Sequence, residues 1–216
     1  MRKWPYLLIV AGICLLLYPT VKERYYDWEQ RKLLDDAVQI EFNPNETDNN
    51  DLIKNRYEQL SRVFNESAEQ PEPEPAATTD TETEEMQDQA IAVIAIDKID
   101  LKLPVLEGAT KANMKIAAAH MTETAALGEV GNAAIAAHRA RTKGRLFNRL
   151  NELEIGDAIA IQTRNKQLNY TVFKISVVEP TDLSVLNGNN DDSILTLITC
   201  DPLVNPTHRL IIHAKL

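Results

Sequence analysis

Two cysteines, Cys14 and Cys200, are all that 216 residues contain, and two are too few for a disulfide framework. Cys14 lies in a hydrophobic N-terminal stretch, so pairing with Cys200 is geometrically unfavourable. That leaves Cys200 as an odd thiol, either a buried packing residue or a free, reactive one. Basic residues are missing from one long stretch: residues 66–90 carry nine acidic side chains and no Lys or Arg. This stretch accounts for the whole net charge of −9, and residues 91–216 hold 14 basic against 13 acidic groups. The folded part therefore has no basic excess, which argues against nucleic acid as a partner. No small-x-small cleavage site follows the N-terminal apolar core, where the chain reads "LLLYPTVKERYY", so an uncleaved anchor is favoured over a signal peptide.

That apolar run extends from Trp4 to Val21 behind Arg2 and Lys3. At 1.5 Å per residue it spans roughly 27 Å, enough for a thin bilayer. Trp4, Tyr18 and Tyr25 suit the two interfaces. With the short N-terminus inside, the bulk of the chain lies outside the cell. Residues 1–21 thus read as a cytoplasmic tip and transmembrane anchor, and 22–65 as a helical stalk. Within the stalk, Ile53, Tyr57, Leu60 and Phe64 recur at three- and four-residue spacing. They mark one face of a short amphipathic helix, which docks on the domain or lies over a site as a lid. Residues 66–90, rich in Pro, Glu and Thr, have the composition of a disordered spacer that holds a domain away from the membrane.

From residue 91 the texture changes to short β-branched runs. "IAVIAIDKIDLKLPVLEG" alternates, "GNAAIAAH" is a short strand entered by a Gly-Asn turn, and "GDAIAIQTRNKQLNYTVFKISVVEP" reads as a hairpin. "SILTLITC" and "RLIIHAKL" supply two more strands. "TKANMKIAAAH" and "GRLFNRLNEL" are helices of three turns at most. The expectation is an all-β barrel or sandwich over 91–216 with one or two short helices.

Three residues in this region carry chemistry. Cys200 ends one strand, His138 ends another as the chain enters a basic loop, and Arg209 opens the last strand. Thiolate is the minor form of cysteine at neutral pH, and a nearby His or Arg favours it. Attack on an amide creates an oxyanion, which a guanidinium stabilises, and a leaving amine, which an imidazolium protonates.

"LTLITCDPLVNPTHRLIIHA" resembles the sortase signature, Thr-Leu-x-Thr-Cys followed by an arginine opening the last strand. "KIDLKLPVLEG", "GNAAIAAHR" and "GRLFNRLNELEIGDAIAI" resemble the family's other blocks, in the same order. The resemblance implies an eight-stranded β-barrel and a membrane-anchored cysteine transpeptidase of Gram-positive bacteria, without a cofactor. Carried over by position, Cys200 attacks a Leu-Pro-x-Thr-Gly- or Ala-type sorting signal after its threonine. His138 is the acid/base, and Arg209 stabilises the oxyanion or positions substrate. Thr199 and His120 are candidate substrate-binding residues. The partners implied are surface proteins bearing the sorting signal and an amine on a cell-wall precursor, at the outer face of the cell membrane. The short loop between Cys200 and Arg209, with the anchor and stalk, suggests a class D-like member with class A as near rival. Class C is disfavoured because the chain stops at Leu216 just after the last strand. Ala137 stands where the family usually has glycine before the histidine, and its methyl would clash if the backbone there needs φ > 0. Asp97 replaces a common proline.

Other features have plainer readings. Arg139, Arg141, Lys143, Arg145 and Arg149 form a solvated loop or draw in an anionic precursor. "GNNDDS" with Glu179 and Asp182 matches no rigid calcium loop, so no metal is assigned. Asp201 reads as a turn residue. Two rival functions share the residues: a cysteine hydrolase acting on the same signal, and a catalytically silent domain that only binds it.

Overall fold

The computed structural model describes residues 17–18, 21–22, 24–35, 50–69 and 90–216. The anchor over residues 1–21, apart from Leu17, Tyr18 and Val21, and the acidic segment 70–89 lie outside the described residues. Among the described residues no helix is long and apolar enough to cross a membrane.

Eight strands close into a barrel: β1 (Ala92–Ile96), β2 (Leu101–Glu107), β3 (Ala118–His120), β4 (Gly131–Ala136), β5 (Ala158–Thr163), β6 (Gln167–Val178), β7 (Ser193–Asp201) and β8 (His208–Lys215). The order around the barrel is β1-β2-β3-β4-β7-β8-β6-β5, with β5 closing onto β1. The expected eight-stranded barrel is therefore the observed one, and the hairpin over 158–178 forms as its alternation indicates. Period-2 apolar residues fill the interior: Ile94 and Ile96, Leu103 and Val105, Ile159 and Ile161, Leu195 and Leu197, Leu210 and Ile212.

Helices are shorter inside the barrel than the sequence suggests and longer outside it. The stretch from Lys111 makes one turn only, α3 (Lys111–Met114), capped by the Thr110 hydroxyl accepting from the Asn113 N–H, and then passes into β3. The "GRLFNRLNEL" stretch yields a 3-10 turn, Leu150–Glu152, because Gly144 (φ 80°) and Leu146 (φ 47°) break the helical path before it. Outside the barrel, residues 24–35 are helical (α1). A second helix, α2 (Asn50–Glu69), runs four residues past the expected stalk boundary at 65.

Both outer helices dock. Leu33 of α1 is buried against Ala90, Val93, Leu106, Ile116 and Ala117. Tyr57, Leu60 and Phe64 of α2 pack on Ala134, Ala136, Ile198, Cys200 and Ile211, on the outer face of β4, β7 and β8. Those strands are consequently buried on both faces and lack the half-exposed alternation of an open sheet. The reading of residues 66–90 as a disordered spacer falls mostly on residues 70–89, which lie outside the described residues.

Candidate active site

The position of each reactive side chain follows from strand register. β4 and β7 run parallel, with Ala136 opposite Ile198. A buried pair fixes this register: the Thr196 hydroxyl donates to Asn132 Oδ1 at 2.6 Å, while the Asn132 amide donates to the carbonyl of Val185. Past the end of β4 the two chains stay joined, since the Ala137 N–H donates to the Ile198 carbonyl and the Thr199 hydroxyl to the Ala137 carbonyl. Two residues beyond Ala136 and Ile198, on the same face, come His138 and Cys200. On the other side, β7 and β8 are antiparallel with Cys200 directly opposite Arg209. Neighbouring strands are about 4.8 Å apart, so His138, Cys200 and Arg209 form a row across three adjacent chains with the thiol in the middle.

Ala137 takes no positive φ; in this loop Leu146 does. Its methyl points into the barrel core, so alanine in place of the usual glycine does not disturb the row.

α2 lies over this row. The Phe64 ring meets the His138 ring edge-on, with centroids 5.6 Å apart. The Arg209 guanidinium stacks on the same phenyl ring at 4.9 Å from its centroid. Arg209 is 1% exposed, and its Nη2 donates to the Ser61 carbonyl and to Asn65 Oδ1, both on α2. The Ser61 hydroxyl donates to the Pro180 carbonyl, and Arg56 pairs with Glu123 at 2.8 Å, so the helix is latched along its length.

Covered in this way, the Cys200 thiol and the His138 imidazole favour their neutral forms. Burial pushes the Cys200 thiol up to about 11 despite the opposing charges of Arg209 and Arg139, while Asp201 adds to the rise. Burial lowers His138 to about 4. The thiolate and imidazolium forms are both suppressed while α2 is in place.

Of the other candidates, His120 stands apart from the row. It is buried at the end of β3, with Nδ1 3.0 Å from both Glu107 carboxylate oxygens and Nε2 3.0 Å from the Ala125 carbonyl. Thr199 is buried too, its hydroxyl spent on Ala137. The basic loop is not uniformly solvated. Arg139 pairs with Asp201 and also donates to the carbonyls of Cys200 and Asn148. Arg149 pairs with Glu152 and Asp100. In the sequence Arg139 is one cation of a basic loop, Asp201 a turn residue and Phe64 one member of an apolar face; the fold brings all three to the row.

A thiol flanked by an imidazole and a guanidinium on the wall of a closed barrel is the equipment of cysteine-dependent acyl transfer. The comparisons agree with that class. Residues 94–216 match the family model described as "Sortase domain". A curated relative, sortase A of Bacillus anthracis, is 30% identical over 210 residues, covering 97% of this chain and 91% of that protein. Among solved structures, a Clostridium perfringens sortase D5 transpeptidase superposes with a TM-score of 0.55 at 30% identity, covering 77% of this chain and 98% of that one. Sortase C1 of GBS pilus island 1 gives a TM-score of 0.60 at 23% identity over 87% and 89% of the two chains, a likeness of fold. The chain belongs to the sortase family.

Proposed function

We propose that this sortase is a transpeptidase that cleaves a Leu-Pro-x-Thr-Gly- or Ala-like signal after threonine and transfers the acyl part to a cell-wall amine. The observation that carries this reading is the placement of Cys200 between His138 and Arg209 on adjacent strands. With α2 displaced, the Cys200 thiolate adds to the threonine carbonyl carbon. Arg209, no longer occupied by Ser61 and Asn65, donates to the oxyanion. The C–N bond breaks as the imidazolium of His138 gives its proton to the leaving amine, leaving a thioester on Cys200. An acceptor amine then attacks the thioester, His138 takes its proton, and the new amide leaves with the thiolate restored. Arg139 and Asp201 position the chain on either side of the thiol without touching substrate.

The apolar run 4–21 anchors the enzyme in the cell membrane with the barrel outside, as a class D-like or class A member. Relatives are named for both classes, a sortase A and a sortase D among them. The experiment is incubation of the full chain in detergent with Leu-Pro-x-Thr-Gly and Leu-Pro-x-Thr-Ala peptides, with and without hydroxylamine, read by mass spectrometry. Capture of the threonine hydroxamate, lost in Cys200→Ala, supports the reading. Release of free acid alone, whatever amine is added, contradicts it in favour of a hydrolase.

A further inference from the structure

α1 does more than cover apolar surface. Tyr26 and Leu34 pack beside the buried Leu33 on the barrel wall. At its other end, the guanidinium of Arg145 lies over the Tyr26 ring, 5.4 Å from its centroid, with Asp27 Oδ1 3.9 Å from Nε. Arg145 belongs to the loop that leaves β4 at His138. This contact pins the loop beside the first turns of α1. Along a helix Tyr26 lies roughly 8 Å from Val21, the last residue of the apolar run.

The pinned loop is one-signed. Residues 138–149 contain five Lys or Arg and no carboxylate. Arg139 is paired with Asp201, and Arg149 with Glu152 and Asp100, whereas Arg141 and Lys143 are exposed at the loop tip, Lys143 within electrostatic reach of Glu152. Next to the loop, the helical residues turned away from the barrel form a second feature. Tyr18, Val21, Tyr25 and Trp28 are each more than half exposed, and the rings of Tyr25 and Trp28 lie 6.1 Å apart. Tyr and Trp with an apolar body and a polar edge favour the headgroup level of a bilayer.

We propose that the barrel sits directly on the membrane that anchors it, with Arg141 and Lys143 against anionic lipid headgroups and Tyr25 and Trp28 in the interface. The proposal rests on the reading of residues 4–21 as an anchor. Headgroups begin within about one Debye length, 8–10 Å, of the pinned loop, close enough for its cations to be attracted at physiological salt. Each such cation strengthens attachment roughly fivefold. Because His138 opens this loop, the reacting row is held at a fixed, low height above the bilayer.

The test is lysine footprinting of the full chain in vesicles with a membrane-impermeant acylating reagent. Vesicles rich in phosphatidylglycerol are compared with pure phosphatidylcholine and with detergent, and modification of Lys143 is read relative to exposed Lys166 on the β5–β6 turn. The expected result is at least fivefold slower modification of Lys143 on the anionic vesicles, restored by high salt. Arg141→Glu partly restores it too, while leaving peptide cleavage in detergent unchanged. Equal modification of Lys143 in all three settings, with the chain co-floating with the vesicles through a high-salt wash, overturns the inference while sparing the anchor. Failure to float after the wash overturns both. Slowing by soluble polyphosphate but not by either vesicle overturns the lipid assignment.

Discussion

Phe64 sets its ring edge-on against His138, with centroids 5.6 Å apart and planes at 72°, and offers its face to Arg209. One side chain of α2 therefore touches both flanks of Cys200, and the covered state is one in which neither thiolate nor imidazolium is favoured.

Phe64→Ala removes that contact. A buried Phe→Ala change commonly costs 3–5 kcal/mol, here taken from the docking of α2 and not from the barrel. Iodoacetamide is expected to alkylate Cys200 at least tenfold faster at neutral pH, because exposure relieves the burial that raises the thiol. Unchanged alkylation would mean that α2 does not govern access.

Tyr57→Phe should act in the opposite direction. Tyr57 is 1% exposed, and its hydroxyl has no hydrogen-bond partner. Leaving a hydroxyl buried and unpaired costs about 1–3 kcal/mol, so its removal tightens the cover. Alkylation of Cys200 is expected to slow about fivefold or more, with the barrel's thermal transition unchanged.

The pH dependence of the cover has a definite sign. While covered, His138 takes a proton only near pH 4, against an ordinary value of 6.5, so acidification below about 6.5 favours the uncovered form. Cys200 while covered keeps its proton up to about 11, against an ordinary 9.0, so the uncovered form also gains above about pH 9. Hydrogen exchange of residues 53–65, corrected for the intrinsic pH effect, should show greatest protection between those limits. Protection that stays flat from pH 7 to 4.5 would contradict the desolvation of His138 beneath α2.

Arg139 is a positioning residue with an electrostatic effect on the thiol. Its guanidinium ties the His138 loop to the Cys200 carbonyl and to Asp201, and its charge lowers the thiol pKa. Arg139→Met is expected to reduce kcat tenfold or more with little change in KM and to move the pH profile of Cys200 alkylation upward. Arg139→Lys should recover most of the profile shift. A loss of activity with an unshifted profile in both variants would reduce Arg139 to a structural link.

The barrel was legible in the sequence because its signals are local. Period-2 runs such as Ile94 and Ile96 or Leu195 and Leu197 mark interior positions without knowledge of their partners. That His138, Cys200 and Arg209 meet on one barrel wall was legible because each sits at a strand boundary within a recognisable block. Helix lengths were not, since Gly144 and the positive φ of Leu146 outweigh helical spacing over residues 144–153. Nor was the arrangement around the row. Arg139 meets Asp201 across 62 residues, and in one dimension it is one of five cations in a loop. The apolar face of α2 was visible, but an amphipathic stripe does not say which surface it covers. Its seat on β4, β7 and β8 depends on their outer faces also being apolar, a property that alternation with the core residues conceals.

Cys200, flanked by His138 and Arg209, is expected to transfer an acyl group once α2 is displaced. The most direct measurement is the rate of hydroxamate formation from a Leu-Pro-x-Thr-Gly or Leu-Pro-x-Thr-Ala peptide by the full chain, by Phe64→Ala and by Phe64→Ala combined with Arg209→Ala. The expected result is a faster reaction in Phe64→Ala and a fall of about 10²–10³-fold when Arg209 is also removed. A Phe64→Ala variant whose thiol is readily alkylated, yet which forms no hydroxamate and no acyl adduct on Cys200 from either peptide, would contradict it.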